Sequence, residues 1–334
     1  MTPLKNAIAR WGSARRSQRN RGGFKLLRFN ADGRKADKRH QEIQTSPGLF
    51  RDDTLVDAEV TASVRPAESA FFPPIESGNL VARLADSPAD IDAAQALRYR
   101  VFYGEMGAIP SSQNTARERD FDEFDSVCDH LLVICKDRAD LPGGVVGTYR
   151  LLRRSVAERN GGFYSTDEYD ISRLLALDGE ILELGRSCID VDHRGHAAMQ
   201  LLWQAIATYV SINDIKLMFG CASLPGADPE ALSEALSYLH HYHLAPEELR
   251  PRAIASRYVD MAMLPKDALD QKRSLRALPP LIKGYLRVGG FIGDGAVVDT
   301  QFNTTDVSVV VKTDLITGKY SRHYGRSGHT SPEK

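Results

Sequence analysis

Between residues 80 and 312 the chain alternates short apolar runs with stretches of helical periodicity, which restricts it to a layered α/β architecture. Strand-length runs fall at 80–84, 130–135, 144–152, 181–191, 217–222, 258–264, 291–298 and 305–312. The turn signal Leu141-Pro142-Gly143-Gly144 precedes the third, Pro225-Gly226 ends the fifth, and a turn near 299–303 joins the last two as a pair. Helical spacing covers 91–103 after the cap Ser87-Pro88, and 196–213 through Met199, Leu202, Trp203, Ile206, Tyr209 and Val210. A third helix is expected over 228–244, with Pro229 in its first turn. No internal repeat is evident, so one mixed domain is expected over 79–315.

The formal net charge of −1 conceals an asymmetry. Residues 1–40 hold 12 of the 43 Lys and Arg but only Asp32 and Asp37 as acids, so this head carries +10 and the rest −11. With little hydrophobic periodicity and the break Pro73-Pro74, residues 1–75 read as a basic, mostly disordered tail, and 316–334 as a second. The basic head suits a solvated tail, or docking on anionic lipid or an acidic carrier protein. It lacks interleaved aromatics beyond Trp11, Phe24 and Phe29, which argues against nucleic acid. No apolar run reaches the ~18 residues of a membrane span. Cys128, Cys135, Cys188 and Cys221 form no Cys-x-x-Cys pair and lie in or beside apolar runs. A reducing cytoplasm is therefore expected, with at most peripheral contact at the inner membrane.

Charges inside apolar strands are costly and need a reason. Four segments draw attention on that ground: Arg98-Tyr99-Arg100-Val101-Phe102, Arg119 to Asp125, Gly147 to Leu152 with Arg150, and Glu183-Leu184-Gly185-Arg186-Ser187-Cys188. Glu183 and Arg186, three apart, would face opposite sides of a regular strand unless a bulge intervenes.

The order and spacing of these segments resemble the Gcn5-related (GNAT) acyltransferase fold, and within it the ornithine N-acyltransferases, with autoinducer synthases as cousins. The matching positions are Arg98 or Arg100 with Val101-Phe102, Asp122 and Asp125, Gly147 with Arg150-Leu151, and Glu183 with Arg186. The likeness continues through Phe219 to Gly226, Leu236 to His240, Leu278 to Arg287, Gly289 to Asp294 and Gln301 to Val307, so it covers about residues 80 to 313. It implies a central mixed, mostly antiparallel sheet flanked by helices. The implied activity is transfer of a 3-hydroxyfatty acyl group from acyl carrier protein to the α-amine of ornithine, with no bound cofactor and no metal.

Direct attack of an amine on a thioester requires loss of an ammonium proton and stabilisation of an oxyanion. On the resemblance, Glu183 is the candidate base, with Asp122 as the carboxylate that would take that role in its place. Asp122 and Asp125 are candidates to hold the δ-ammonium, Arg100 or Arg150 to clamp the carboxylate, and Arg186 to join the binding set. The fold's donor loop corresponds to Asp192-His193-Arg194-Gly195-His196-Ala197. Asp192 replaces the usual Gln or Arg there, which suits a carrier's phosphopantetheine with its single phosphate better than coenzyme A. Arg194 could supply the missing positive charge.

Other signals are discounted. Direct transfer needs no nucleophile at Cys188, and a buried strand cysteine is the simpler reading. His240, His241 and His243 lack a third ligand at metal spacing, and His130 reads as structural. The glycine-rich run 289–295 matches neither a dinucleotide nor a phosphate loop. An autoinducer synthase and an inactive scaffold on membrane surfaces remain as alternatives.

Overall fold

The computed structural model describes residues 71–313, and the expected tails at 1–70 and 314–334 lie outside the described residues. Ten strands form a mixed sheet: β1 (Ile75–Ser77), β2 (Leu80–Leu84), β3 (Asp129–Cys135), β4 (Val145–Arg153), β5 (Tyr169–Asp170), β6 (Glu180–Ile189), β7 (Ile215–Pro225), β8 (Arg252–Ala253), β9 (Phe291–Asp299) and β10 (Thr304–Lys312). Their spatial order is β1-β2-β3-β4-β6-β7-β10-β9-β8-β5. Only β6–β7 and β8–β9 run parallel, so the expected mostly antiparallel sheet is what forms.

Helix α1 (Pro88–Tyr99) starts where the cap signal placed it: Ser87 accepts the amide of Asp90, and Pro88 occupies the first turn. A π-helical turn, Arg100–Glu105, continues it. Helix α2 (His196–Ile212) follows β6. The pleat of β3 assigns these two helices to opposite faces: Leu131 and Val133 join the core beneath Leu202, Ile206 and Tyr209 of α2, while Leu132 packs with Ala94 and Leu97 of α1. Leu131 and Leu132 are both fully buried, and each such burial contributes about 1.5–3 kcal/mol. A third cluster gathers Phe163, Tyr169, Phe219 and Val310 near the other end of the sheet.

Two expectations change. The strand expected over 258–264 is reduced to a single bridge, Val259 with Ala296, because Asp260 turns its carboxylate onto the amide of Ala262 and diverts the backbone. The third helix, α3 (Ser233–His243), begins later than expected because Asp228 and Pro229 close turns onto Glu230 and Leu232 instead. The sheet also opens earlier, at Ile75.

The centre of the sheet is split. β6 pairs with β7 only over Glu180–Glu183, whereas β7 continues against β10 to Pro225. At the fork, a side chain on Gly220 would collide with the Leu184 carbonyl, so glycine lets the strands part from a close approach. On its other edge β6 carries a bulge against β4, between the pairs Thr148–Cys188 and Arg150–Gly185. Arg186 sits in the bulge with a left-handed φ of 49°.

Candidate active site

The bulge decides the site, because it sets Glu183 and Arg186 on the same cavity despite their three-residue spacing. The cavity, about 280 Å³, lies at the fork. Arg150, Tyr164, Glu183, Arg186, Asp299 and Asp306 are among its lining residues, with Phe102, Leu152, Leu184 and Phe302 supplying apolar surface. A left-handed non-glycine residue costs about 1–3 kcal/mol unless its surroundings hold it. Arg186 is held by ion pairs to Asp122 at 3.0 Å and Asp120 at 3.6 Å, and by stacking of its guanidinium on Tyr164 and Phe302.

Behind this wall stands a balanced network. Fully buried Arg98, from the last turn of α1, donates to both Asp125 oxygens at 3.0 and 2.6 Å and to the Asp120 carbonyl at 2.5 Å. Its Nε lies 2.8 Å from Asp120 Oδ2. Arg150 donates to Asp122 at 2.5 Å and Asp125 at 3.1 Å. Gln95 adds a bond to Asp125, and Tyr103 one to Asp120. Burial alone would raise the carboxyls of Asp122 and Asp125. Arg150 and Arg186 at Asp122, and Arg98 and Arg150 at Asp125, outweigh it and hold both below the usual carboxylate range. Burial lowers the pKa of His130 beside them and favours its neutral form.

These contacts show where the structure places the expected site residues. Asp122 and Asp125 accept from arginines, and neither lines the cavity, so both stand behind the cationic wall. Arg100 lies apart from them. It faces Asp190 at 3.6 Å, outside the cavity, while Arg98 is the member of the pair that enters the network. Glu183 is 5% exposed, and its two oxygens accept the amides of Tyr164 and Ser165 at 2.9 and 2.7 Å. Burial pushes its carboxyl up, against the pull of those donors and of Arg150. Each oxygen keeps a lone pair, so Glu183 can both anchor the 3₁₀ turn Tyr164–Asp167 and take a proton.

At the donor loop, Gly195 caps α2 without a side-chain bond, and His196 and Ala197 form its first turn. Arg194 is committed elsewhere, donating to the Ile189 carbonyl at 3.0 Å and pairing with Glu105. Cys188 and Cys128 are buried thiols with pKa pushed up by desolvation, in keeping with their structural reading.

The sequence reading missed a second group of acids. Glu168, Asp299 and Asp306 bring carboxylate oxygens within 4.8 Å of one another, the spacing at which one cation could be shared. The clue was present: Asp306 lies in an apolar strand and meets the same criterion that selected Glu183. Glu168 and Asp299 carry no such signal.

A bulged, forked sheet with a helix starting just beyond it defines a GNAT-type N-acyltransferase. A family profile described as the acetyltransferase (GNAT) domain matches residues 97–204, a span containing the end of α1, β4, β6 and half of α2. The chain is 48% identical to the L-ornithine N(alpha)-acyltransferase of Agrobacterium fabrum over 251 residues, 74% of this chain and 86% of that protein. The protein of the same name from Rhizobium meliloti is 48% identical over 74% of this chain and 84% of its own length. That from Brucella abortus is 47% identical over 74% and 89%. The chain belongs to the L-ornithine N(alpha)-acyltransferase family.

Proposed function

We propose that this enzyme transfers a 3-hydroxyfatty acyl group from acyl carrier protein to the α-amine of ornithine, giving a lyso-ornithine lipid. The observation carrying this reading is the cavity at the β6–β7 fork, where Glu183 and the guanidinium groups of Arg150 and Arg186 meet apolar surface. In this reading Arg150 or Arg186 receives the carboxylate, and Glu183 takes the ammonium proton directly or through water. The freed amine attacks the thioester carbonyl, forming a C–N bond. Collapse of the tetrahedral intermediate breaks the C–S bond, and the departing thiolate is reprotonated. The phosphate of the carrier's phosphopantetheine lies on the uncapped first-turn amides of α2.

Among the described residues no helix is long and apolar enough to cross a membrane. A cytoplasmic enzyme whose basic head, residues 1–40, rests on anionic lipid fits the thiol chemistry of the donor and the lipid nature of the product.

The test is the purified full chain with a 3-hydroxyacyl carrier protein and ornithine, followed by thiol release and product mass. Acylated ornithine is expected, with the coenzyme A thioester a poorer donor. A lactone formed from S-adenosylmethionine would make the protein an autoinducer synthase, and no transfer at all would leave only a scaffold. Glu183→Gln should lower kcat by about 10²-fold and remove the acidic limb of the pH–rate profile. Near-normal turnover would transfer the base role to Asp122 or to water.

A further inference from the structure

The lining of the cavity also includes a polar group on and beside β10: Asp299, Thr304 and Asp306. Asp306 is 7% exposed and Thr304 2% exposed; both line the cavity, and among the described residues Asp306 Oδ1 and Thr304 Oγ1 have no partner in good hydrogen-bond geometry, although the Ser223 and Thr304 hydroxyls lie close enough to Asp306 to pull its carboxyl down. Thr304 and Asp306 are two apart on β10 and share a face. Asp299 lies directly across the hairpin from Thr304. Glu168, 3% exposed, leaves Oε2 without a partner, and its other oxygen is 3.4 Å from Arg257. Among the described residues, one guanidinium therefore stands beside the three carboxylates, at Glu168. Buried unsatisfied acceptors are rare and call for an occupant.

We propose that Asp299, Asp306 and Thr304 of the cavity lining, with Glu168 beside them, bind the side-chain ammonium of the acceptor amino acid, making this part of the cavity the determinant of a basic substrate. The inference rests on the acyl-transfer reading above and deepens it. An alkylammonium has three donors and no acceptor, and Asp306 Oδ1, Glu168 Oε2 and Thr304 Oγ1 keep acceptor capacity that the described residues do not fill. A cation also relieves the repulsion within the cluster. Burial raises the Asp306 carboxyl to about 7, with the Glu168 charge adding to it and hydrogen bonds from Ser223 and Thr304 opposing it, and burial raises Glu168 as well, against a hydrogen bond from Cys221 and the charge of Arg257. The amino acid then lies between two poles, with its carboxylate at Arg150 or Arg186, its far nitrogen at the acids and its α-amine near Glu183.

The test compares ornithine with norvaline, which has the same carbon chain but no terminal amine, as acceptors for the full-length enzyme. Wild-type enzyme should favour ornithine by about 10²-fold or more in kcat/KM. In Asp306→Asn that ratio should fall to within about tenfold of unity, chiefly through KM for ornithine. Asp299→Asn, whose amide oxygen can still accept the Gln301 and Phe302 amides that Asp299 holds, should reduce the ratio in the same direction. Retained selectivity in both variants overturns the proposal, as does loss of kcat at unchanged KM, which would make Asp306 a base. Loss of transfer on EDTA dialysis, restored by Mg²⁺ or Mn²⁺, also overturns it, because the cluster would then be a metal site. Failure of wild-type enzyme to acylate any amino acid would instead refute the acyl-transfer reading itself.

Discussion

Two groups of three carboxylates near the cavity are treated in opposite ways. Asp120, Asp122 and Asp125 face Arg98, Arg150 and Arg186, and every acid has an arginine within ion-pair distance. Among the described residues, the group Glu168, Asp299 and Asp306 has a cation at Glu168, where Arg257 lies at 3.4 Å. The first group is a finished structure that fixes where two guanidinium groups sit. The second is unfinished without a cation, and an enzyme that must accept a basic amino acid has use for both.

The contrast is broken most forcefully at Arg98. Removing one partner of a buried, multiply bonded ion pair leaves the others uncompensated, so Arg98→Ala should cost about 3–5 kcal/mol in denaturant unfolding. Asp306→Asn should act in the other direction. A carboxyl raised from 3.8 to about 7 in the folded state favours folding while protonated, and that contribution is lost as pH rises through about 7. Asp306→Asn should therefore raise Tm at pH 8 and change it little at pH 4, with a gain on the order of a few kcal/mol. Asp122 and Asp125, held below 3.8, behave oppositely: their stabilisation is present above that pH and lost as pH falls below it. A Tm profile in which Asp306→Asn destabilises at pH 8 would erase the distinction between the two groups. The smallest change sharpens it. Gln95→Ala deletes one buried bond to Asp125, which keeps its arginines, and should cost about 1 kcal/mol with little effect on turnover.

The sheet and its two main helices were legible because apolar periodicity is dictated by burial, and Leu131, Leu132 and the α2 stripe follow it residue by residue. Glu183, Arg150 and Arg186 were legible because a charge in an apolar strand needs a reason. Their common side was not, since Glu183 and Arg186 share the cavity only through a bulge that spacing alone cannot reveal. The choice between Arg98 and Arg100 also depended on how the last turn of α1 meets the Asp120–Asp125 loop. The far acids were hidden for a different reason. Glu168 comes from a turn anchored by Glu183, and Asp299 and Asp306 from a hairpin more than a hundred residues later, so only the fold brings them together.

An acceptor held at both charged ends can present only one nitrogen to the thioester, and the position of the new amide therefore tests the account most directly. Fragmentation mass spectrometry of the product formed from ornithine and an acyl carrier thioester should find the acyl group on the α-nitrogen alone. Acylation of the δ-nitrogen would place that amine at the fork instead of among Glu168, Asp299 and Asp306, and would contradict it.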